Sequence, residues 1–164
     1  EPADSNPFTE TNLATLDALT EALEGLDGVA NTFSALDLPL LQSPPVALSE
    51  LSDGFKTLRD SGVPLDLARK ELTASPLFSE LLISKDGRST AIQINLERSA
   101  AQPDSAAATQ SPSAAREQYL AERANLIAKV RDVQRGFADR GTLFLGGVPM
   151  IAADRPLLPS RIRE

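Results

Sequence analysis

Between Thr90 and Glu97 the chain alternates strictly, with Thr90, Ile92, Ile94 and Leu96 on one side and Ala91, Gln93, Asn95 and Glu97 on the other. A period of two describes a β-strand with one buried face. Such a strand requires ladder partners and a second layer over its apolar side. Just upstream, Leu81-Leu82-Ile83 leads into Ser84-Lys85-Asp86-Gly87-Arg88, a turn of the Asp-Gly kind. Together these segments predict a β-hairpin.

The covering layer is legible in two helical stripes. Residues 8–27 read as an amphipathic helix, with Thr9 or Thr11 as N-cap and acids in the first turns. Leu16, Leu19, Leu23 and Leu26 recur at spacings of 3, 4 and 3, on one face. Asp27-Gly28 ends it. Near the other end, Ser111-Pro112 has the form of an N-cap followed by proline in the first turn. Tyr119, Leu126, Val130, Val133 and Phe137 then mark a second stripe, and Gly141 stops that helix.

The intervening segments are less regular. Val29–Leu36 reads as a strand, with Val29, Phe33 and Ala35 on one face. Residues 38–48 are apolar and rich in proline, and Pro39, Pro44 and Pro45 bar a central strand or a helix interior. Short helices are expected over Leu48–Arg59 and Leu65–Ala74, the second broken by Ser75-Pro76. Residues 99–115 hold seven Ala and four Ser, have little to bury, and read as a low-complexity loop. Leu143–Val148 reads as a last strand, closed by Gly146-Gly147 and Pro149.

The order α, β, irregular helical insertion, β-hairpin, long α, β makes an α+β layer. One further strand before residue 1 would turn it into βαββαβ, the split-βαβ or ferredoxin-like pattern. The expectation is therefore a single domain over 1–151, with a helical insertion at 38–81, a truncated or missing first strand, and a tail at 152–164. The start at Glu1-Pro2 reads as that of a piece of a longer chain.

Composition narrows the chemistry. The chain has 164 residues, no Cys and no His. This excludes disulfides, thiolate nucleophiles, Cys-ligated metals, His-dependent triads and the commonest zinc ligand. Only 4% of residues are aromatic, so no stacking platform for bases is expected and the core is aliphatic. Residues 1–55 carry ten acids and no Lys or Arg. The other 13 of the 23 acids share the remainder with all 16 bases, leaving it net positive by 3. An acidic N-terminal third repels phosphate, and the bases form no patch, so no nucleic-acid partner is expected.

Candidate catalytic constellations reduce to ordinary structure. Asp17, Glu21 and Glu24 share a helix face opposite the Leu stripe and read as solvated carboxylates. Ser84-Lys85 lies in a polar turn, where a desolvated lysine is not expected. Gly146-Gly147 lacks the spacing of a nucleotide loop. No catalytic residue, metal or cofactor is assigned. The candidate contacts for a hydrophobic substrate or partner are Leu38, Leu40, Leu41, Pro44, Pro45 and Val46, although packing of this apolar stretch on the sheet as core is the favoured reading.

Several segments, in this order, carry a family resemblance. They are Asn12–Leu26 with Asp27-Gly28-Val29, Leu38-Pro39-Leu40-Leu41-Gln42-Ser43-Pro44-Pro45, Leu72–Leu77, Ser84-Lys85-Asp86-Gly87-Arg88 with Thr90-Ala91, and Phe144-Leu145-Gly146-Gly147-Val148-Pro149-Met150-Ile151. The chain resembles the large extracytoplasmic loop of resistance-nodulation-division (RND) superfamily exporters, in the MMPL-like branch. The resemblance implies a porter-type subdomain between the first two membrane helices of a proton-driven exporter of hydrophobic or lipid-like molecules. It implies a bacterial inner-membrane protein with this segment in the periplasm. The expected partners are the rest of its own transporter chain, a lipid-like substrate and further copies in a homo-oligomer. The proton-relay carboxylates would lie in membrane helices outside this chain. A free-standing periplasmic binding or adaptor module is the alternative. The sequence departs from the family before the first helix and in the proline-bearing tail after Ile151.

Overall fold

The computed structural model describes residues 1–2, 4–43, 55–102 and 105–147. The chain is α+β: α1 (Glu10–Glu24), β1 (Val29–Ser34), a 3-10 turn (Ala35–Asp37), α2 (Leu65–Ala74), β2 (Ile92–Leu96), α3 (Ala106–Gln110) and α4 (Pro112–Gly136). The strands form a two-stranded antiparallel sheet.

Helix α1 starts where the Thr9 hydroxyl accepts the Asn12 N–H at 3.2 Å, supplying one of the orphan donors of the first turn. It ends at Glu24, with Gly25 as cap, three residues before the expected Asp27 stop. Gly28 then takes a φ of +94°, a conformation that turns the chain into β1 and suits a residue without Cβ. The buried leucines of α1 divide between two cores. Leu13 and Leu16 join Leu36, Leu38, Leu40, Leu58, Leu72 and Ile83. Leu19 and Leu23 join Val29, Leu126 and Val130, against which Ile94, Leu96, Phe137, Leu143 and Leu145 pack. Ile92 touches both clusters. The expected 38–81 insertion is thus, in its described parts, a wall of the first core.

Strand β1 differs from expectation in length and facing. Ser34 ends it: its hydroxyl accepts the Leu36 N–H at 3.2 Å, while the Asp37 carboxylate accepts the Ser34 N–H at 2.8 Å. This reciprocal cap winds Ala35–Asp37 into a 3-10 turn instead of continuing the strand. The register slips between Val29 and Asn31, so Ala30 is an extra residue in the ladder. One extra residue reverses the facing of everything after it. Phe33 therefore points outward at 37% exposure, opposite to the expected face shared with Val29.

The hairpin is corrected too. Its turn is present: the Ser84 N–H donates to the Ser89 carbonyl at 3.0 Å and the Ala91 N–H to the Leu82 carbonyl at 2.8 Å. Its first arm is not a strand, because the N–H groups of Leu81, Leu82 and Ile83 all donate to the Phe78 carbonyl. Only an isolated Ile83–Thr90 bridge remains, and the ladder partner of β2 is β1. Most of the helix expected over Leu48–Arg59 lies outside the described residues. At its end, Lys56 forms a bridge with Leu40 and Thr57–Asp60 is a turn. Helix α2 spans Leu65–Ala74 as expected. The expected loop 99–115 contains α3 and the first turn of α4. The described part of the expected last strand, 143–147, joins no ladder. No helix among the described residues is long and apolar enough to cross a membrane.

Candidate apolar cleft at the sheet edge

Among the described residues the sheet has two strands, and a site lies beside β2. A cleft of about 450 Å³ opens there. Its floor is made of Leu16, Leu19 and Leu23 from α1, Val130 from α4 and Phe137, the residue that caps the C-terminal end of α4. Ile92 and Ile94 of β2 form one wall, and residues 140–146 form the other. Glu1, Pro2 and Arg140 stand among the lining residues. Both helices present these side chains for the ordinary reason that their apolar stripes must be covered.

Two contacts hold the far wall. The half-buried Gln134 amide donates to the Leu143 carbonyl at 2.6 Å, tying the segment to α4. Glu1 and Thr142 exchange both backbone hydrogen bonds, each at 2.8 Å. Gly141 is needed for that approach, since a Cβ there would stand 2.6 Å from the Glu1 carbonyl oxygen. Burial then alternates along the segment: Leu143 and Leu145 pack inward while Phe144 is 88% exposed.

The opposite wall has an orientation that follows from β1. The Thr32 N–H donates to Glu24 at 3.1 Å and the Ser34 N–H to Asp37 at 2.8 Å. Neither donates to β2, so Thr32–Ile94 and Ser34–Ile92 are the non-hydrogen-bonded pairs of the ladder. The N–H and C=O groups of Ile92 and Ile94 consequently point away from β1, toward the cleft.

Charge plays little part inside. Among the described residues of the lining, Glu1 and Arg140 are the ionisable ones. Arg140 lies over the Phe137 ring, 4.9 Å from its centroid. Arg88 reaches Glu1 at 3.4 Å and donates to the Ser5 hydroxyl at 3.0 Å. No nucleophile paired with a base lines the cleft, and no cluster of three or more potential metal ligands occurs among the described residues.

The sequence-predicted contacts lie elsewhere. Leu38 and Leu40 are 0% exposed in the first core, out of reach of a surface-bound molecule in this conformation. Leu41 is 55% exposed, and its N–H and that of Gln42 donate to the Glu71 carboxylate. Pro44, Pro45 and Val46 lie outside the described residues. The sequence had placed the cleft residues only in core stripes; its one hint was two apolar helix faces set against too few strands.

The α1 carboxylates, expected to be solvated, serve partly as anchors. Asp17 pairs with Arg59, whose Nε reaches Asp37 at 2.9 Å. Burial works to raise the Asp37 carboxyl, but the Ser34 N–H and the Arg59 guanidinium outweigh it and hold Asp37 below the usual aspartate range. Glu24 is lowered by the Thr32 hydroxyl, at 2.7 Å, and the Thr32 N–H. Glu21 remains exposed.

No family model, no curated protein and no solved structure matches this chain.

Proposed function

We propose that this chain is a non-catalytic, porter-type domain of a proton-driven RND/MMPL-like exporter of hydrophobic or lipid-like molecules, facing the periplasm from a bacterial inner membrane. In this reading its fold is ferredoxin-like. The observation that carries the reading is the arrangement around the cleft. Helices α1 and α4 lie on one face of an antiparallel β1–β2 pair, and an open strand edge faces the segment 142–146 across an apolar floor. Such an arrangement is what a split-βαβ layer with one strand's place open would present, and it supports this reading. The order of sequence motifs from Asn12 to Ile151 supports the same assignment. Energy coupling belongs to carboxylates in membrane helices outside this chain. Leu41, Pro44, Pro45 and Val46 stay as candidate cargo contacts.

The test is the complete gene. Apolar segments of ~20 residues should flank the region on both sides, the product should fractionate with membranes, and deleting the region should abolish export without removing the protein from the membrane. A product without such segments, recovered in the soluble fraction, would sink the proposal. It would point instead to a free-standing periplasmic binding or adaptor module. The open apolar cleft favours that second reading, which predicts tight binding of a lipid or partner by the purified protein.

A further inference from the structure

Exposed apolar side chains are concentrated on one part of the molecule. Among the described residues, the exposed large hydrophobics are Leu41, Phe55, Leu67, Leu77 and Leu81, joined from elsewhere only by Phe33 and Phe144. Helix α2 is the centre of this group. Its inner face buries Ala68 and Leu72, so its outer stripe should be polar. Instead Leu67, Lys70 and Ala74, at offsets 0, 3 and 7, are all exposed. Leu77, 72% exposed, follows just past the Ser75-Pro76 break. Glu71 flanks the stripe, but its carboxylate is turned to backbone and accepts the N–H groups of Leu41 and Gln42. That contact sets Leu41 against α2. The antiparallel Leu40–Lys56 bridge then places Leu41 beside Phe55. Asp66 lies about 100° round the helix from Leu67, which leaves Lys70 as the charge on the stripe. Among the described residues, the ammonium groups of Lys56 and Lys70 enter no ion pair.

We propose that this face docks on the surface of an anionic lipid bilayer. Leu41, Phe55, Leu67 and Leu77 enter the boundary between headgroups and acyl chains, and Lys56 and Lys70 reach the lipid phosphates. Apolar side chains with lysines among them, and no carboxylate free to oppose them, are the make-up of an interfacial helix. A lysine stem lies along apolar surface while its ammonium stays at the phosphate level. Each such lysine is attracted to an anionic surface, and salt screens the attraction. A protein partner would cover the same leucines with a complementary apolar pocket and would need no cation; the two unpaired lysines favour lipid. None of these six residues lines the cleft, so docking leaves the cleft open. The inference goes beyond the exporter reading and does not depend on it, since a free-standing module could dock in the same way.

The test is flotation of the chain with vesicles of phosphatidylcholine, alone or with about one-third phosphatidylglycerol. The wild type should float with the anionic vesicles, and less so as salt rises from about 0.05 to about 0.5 M. Leu67→Ser combined with Leu77→Ser should weaken binding at least about tenfold. Lys56→Gln combined with Lys70→Gln should weaken it about tenfold and remove the preference for anionic vesicles. Phe33→Ser, on the outer face of the sheet, should leave binding unchanged, with circular dichroism checking that each variant is folded. A second readout needs none of these variants. The chain has no cysteine, so one environment-sensitive dye can be attached at Leu77→Cys or at Phe33→Cys. Anionic vesicles should shift the emission to the blue at 77 and not at 33. Absence of wild-type binding, equal losses in all variants, or equal shifts at both positions would overturn the proposal. So would a blue shift at 77 without vesicles. If that shift grew with protein concentration, a second copy would be the partner; if it did not, the chain itself would cover the face. Flanking membrane spans without vesicle binding would defeat this inference alone. Vesicle binding without such spans would defeat only the exporter reading.

Discussion

Replacing Leu40 by alanine tests the division between packing and contact in the proline-rich segment. Leu40 is 0% exposed, and its N–H donates to the Lys56 carbonyl at 2.8 Å, a bond that survives the substitution. The perturbation is therefore confined to the side chain. Leu→Ala removes three carbons, worth about 2.4 kcal/mol of transfer free energy at ~0.8 kcal/mol per buried group. The cavity left behind adds to this, giving a loss of about 2–5 kcal/mol. For a domain whose total stability is ~5–15 kcal/mol, that is a large share. With a urea slope of ~2 kcal/mol per M, the midpoint should fall by about 1–2.5 M. Leu41, one residue on and 55% exposed, is the internal control. Leu41→Ala should stay within ~0.5 kcal/mol, a midpoint shift of at most about 0.3 M. Urea unfolding followed by circular dichroism measures both variants on the same day and buffer. Equal losses, or a larger loss for Leu41→Ala, would refute the assignment of Leu40 to the core.

Two further expectations concern the electrostatic anchor and the cleft wall. Asp37 has a depressed folded-state pKa, so its contribution is present above the ordinary aspartate value of 3.8 and is lost as pH falls through the lower folded value. The stability gap between the wild type and Asp37→Asn should be widest at about pH 5–7 and narrow below about pH 4; a gap that widens on acidification would reverse the sign of the argument. Gly141→Ala brings a Cβ within 2.6 Å of the Glu1 carbonyl oxygen and 3.0 Å of the Pro2 Cα. It should release the first residues, and the Thr142 amide should exchange at least about tenfold faster while Leu126, in the middle of α4, is unchanged. Retention of slow exchange at Thr142 would show that Gly141 is not what permits the Glu1–Thr142 pair.

Much of the local structure was readable from spacing alone. The Thr9 cap, the leucine stripe of α1, the limits of α2, the Ser111-Pro112 start of α4 and the alternation of β2 depend on neighbours three or four residues away, or two for a strand. What failed depended on distant partners or on competition for a backbone group. The arm Leu81–Ile83 has strand-like residues, but its N–H groups are captured by the Phe78 carbonyl before a ladder can form. Phe33 faces solvent because Ala30 is an extra residue opposite β2, a fact about register that β1 cannot carry by itself. The apolar 38–42 segment could as well have lined a groove; only its placement against α1 and α2 settles Leu38 and Leu40 as core.

The same division applies to the molecule as a whole. The sequence by itself determined an α+β chain with an aliphatic core, no cysteine or histidine chemistry, and helices placed by capping and periodicity. Those properties follow from residue identity and from spacings within one or two turns. The tertiary structure decided that β2 pairs with β1, that Leu38 and Leu40 are sealed inside, and that an apolar cleft runs between the free edge of β2 and residues 142–146. Hydrogen-bond partners and solvent exposure are properties of pairs of segments far apart in the chain, and no local pattern encodes which edge of a strand is left open.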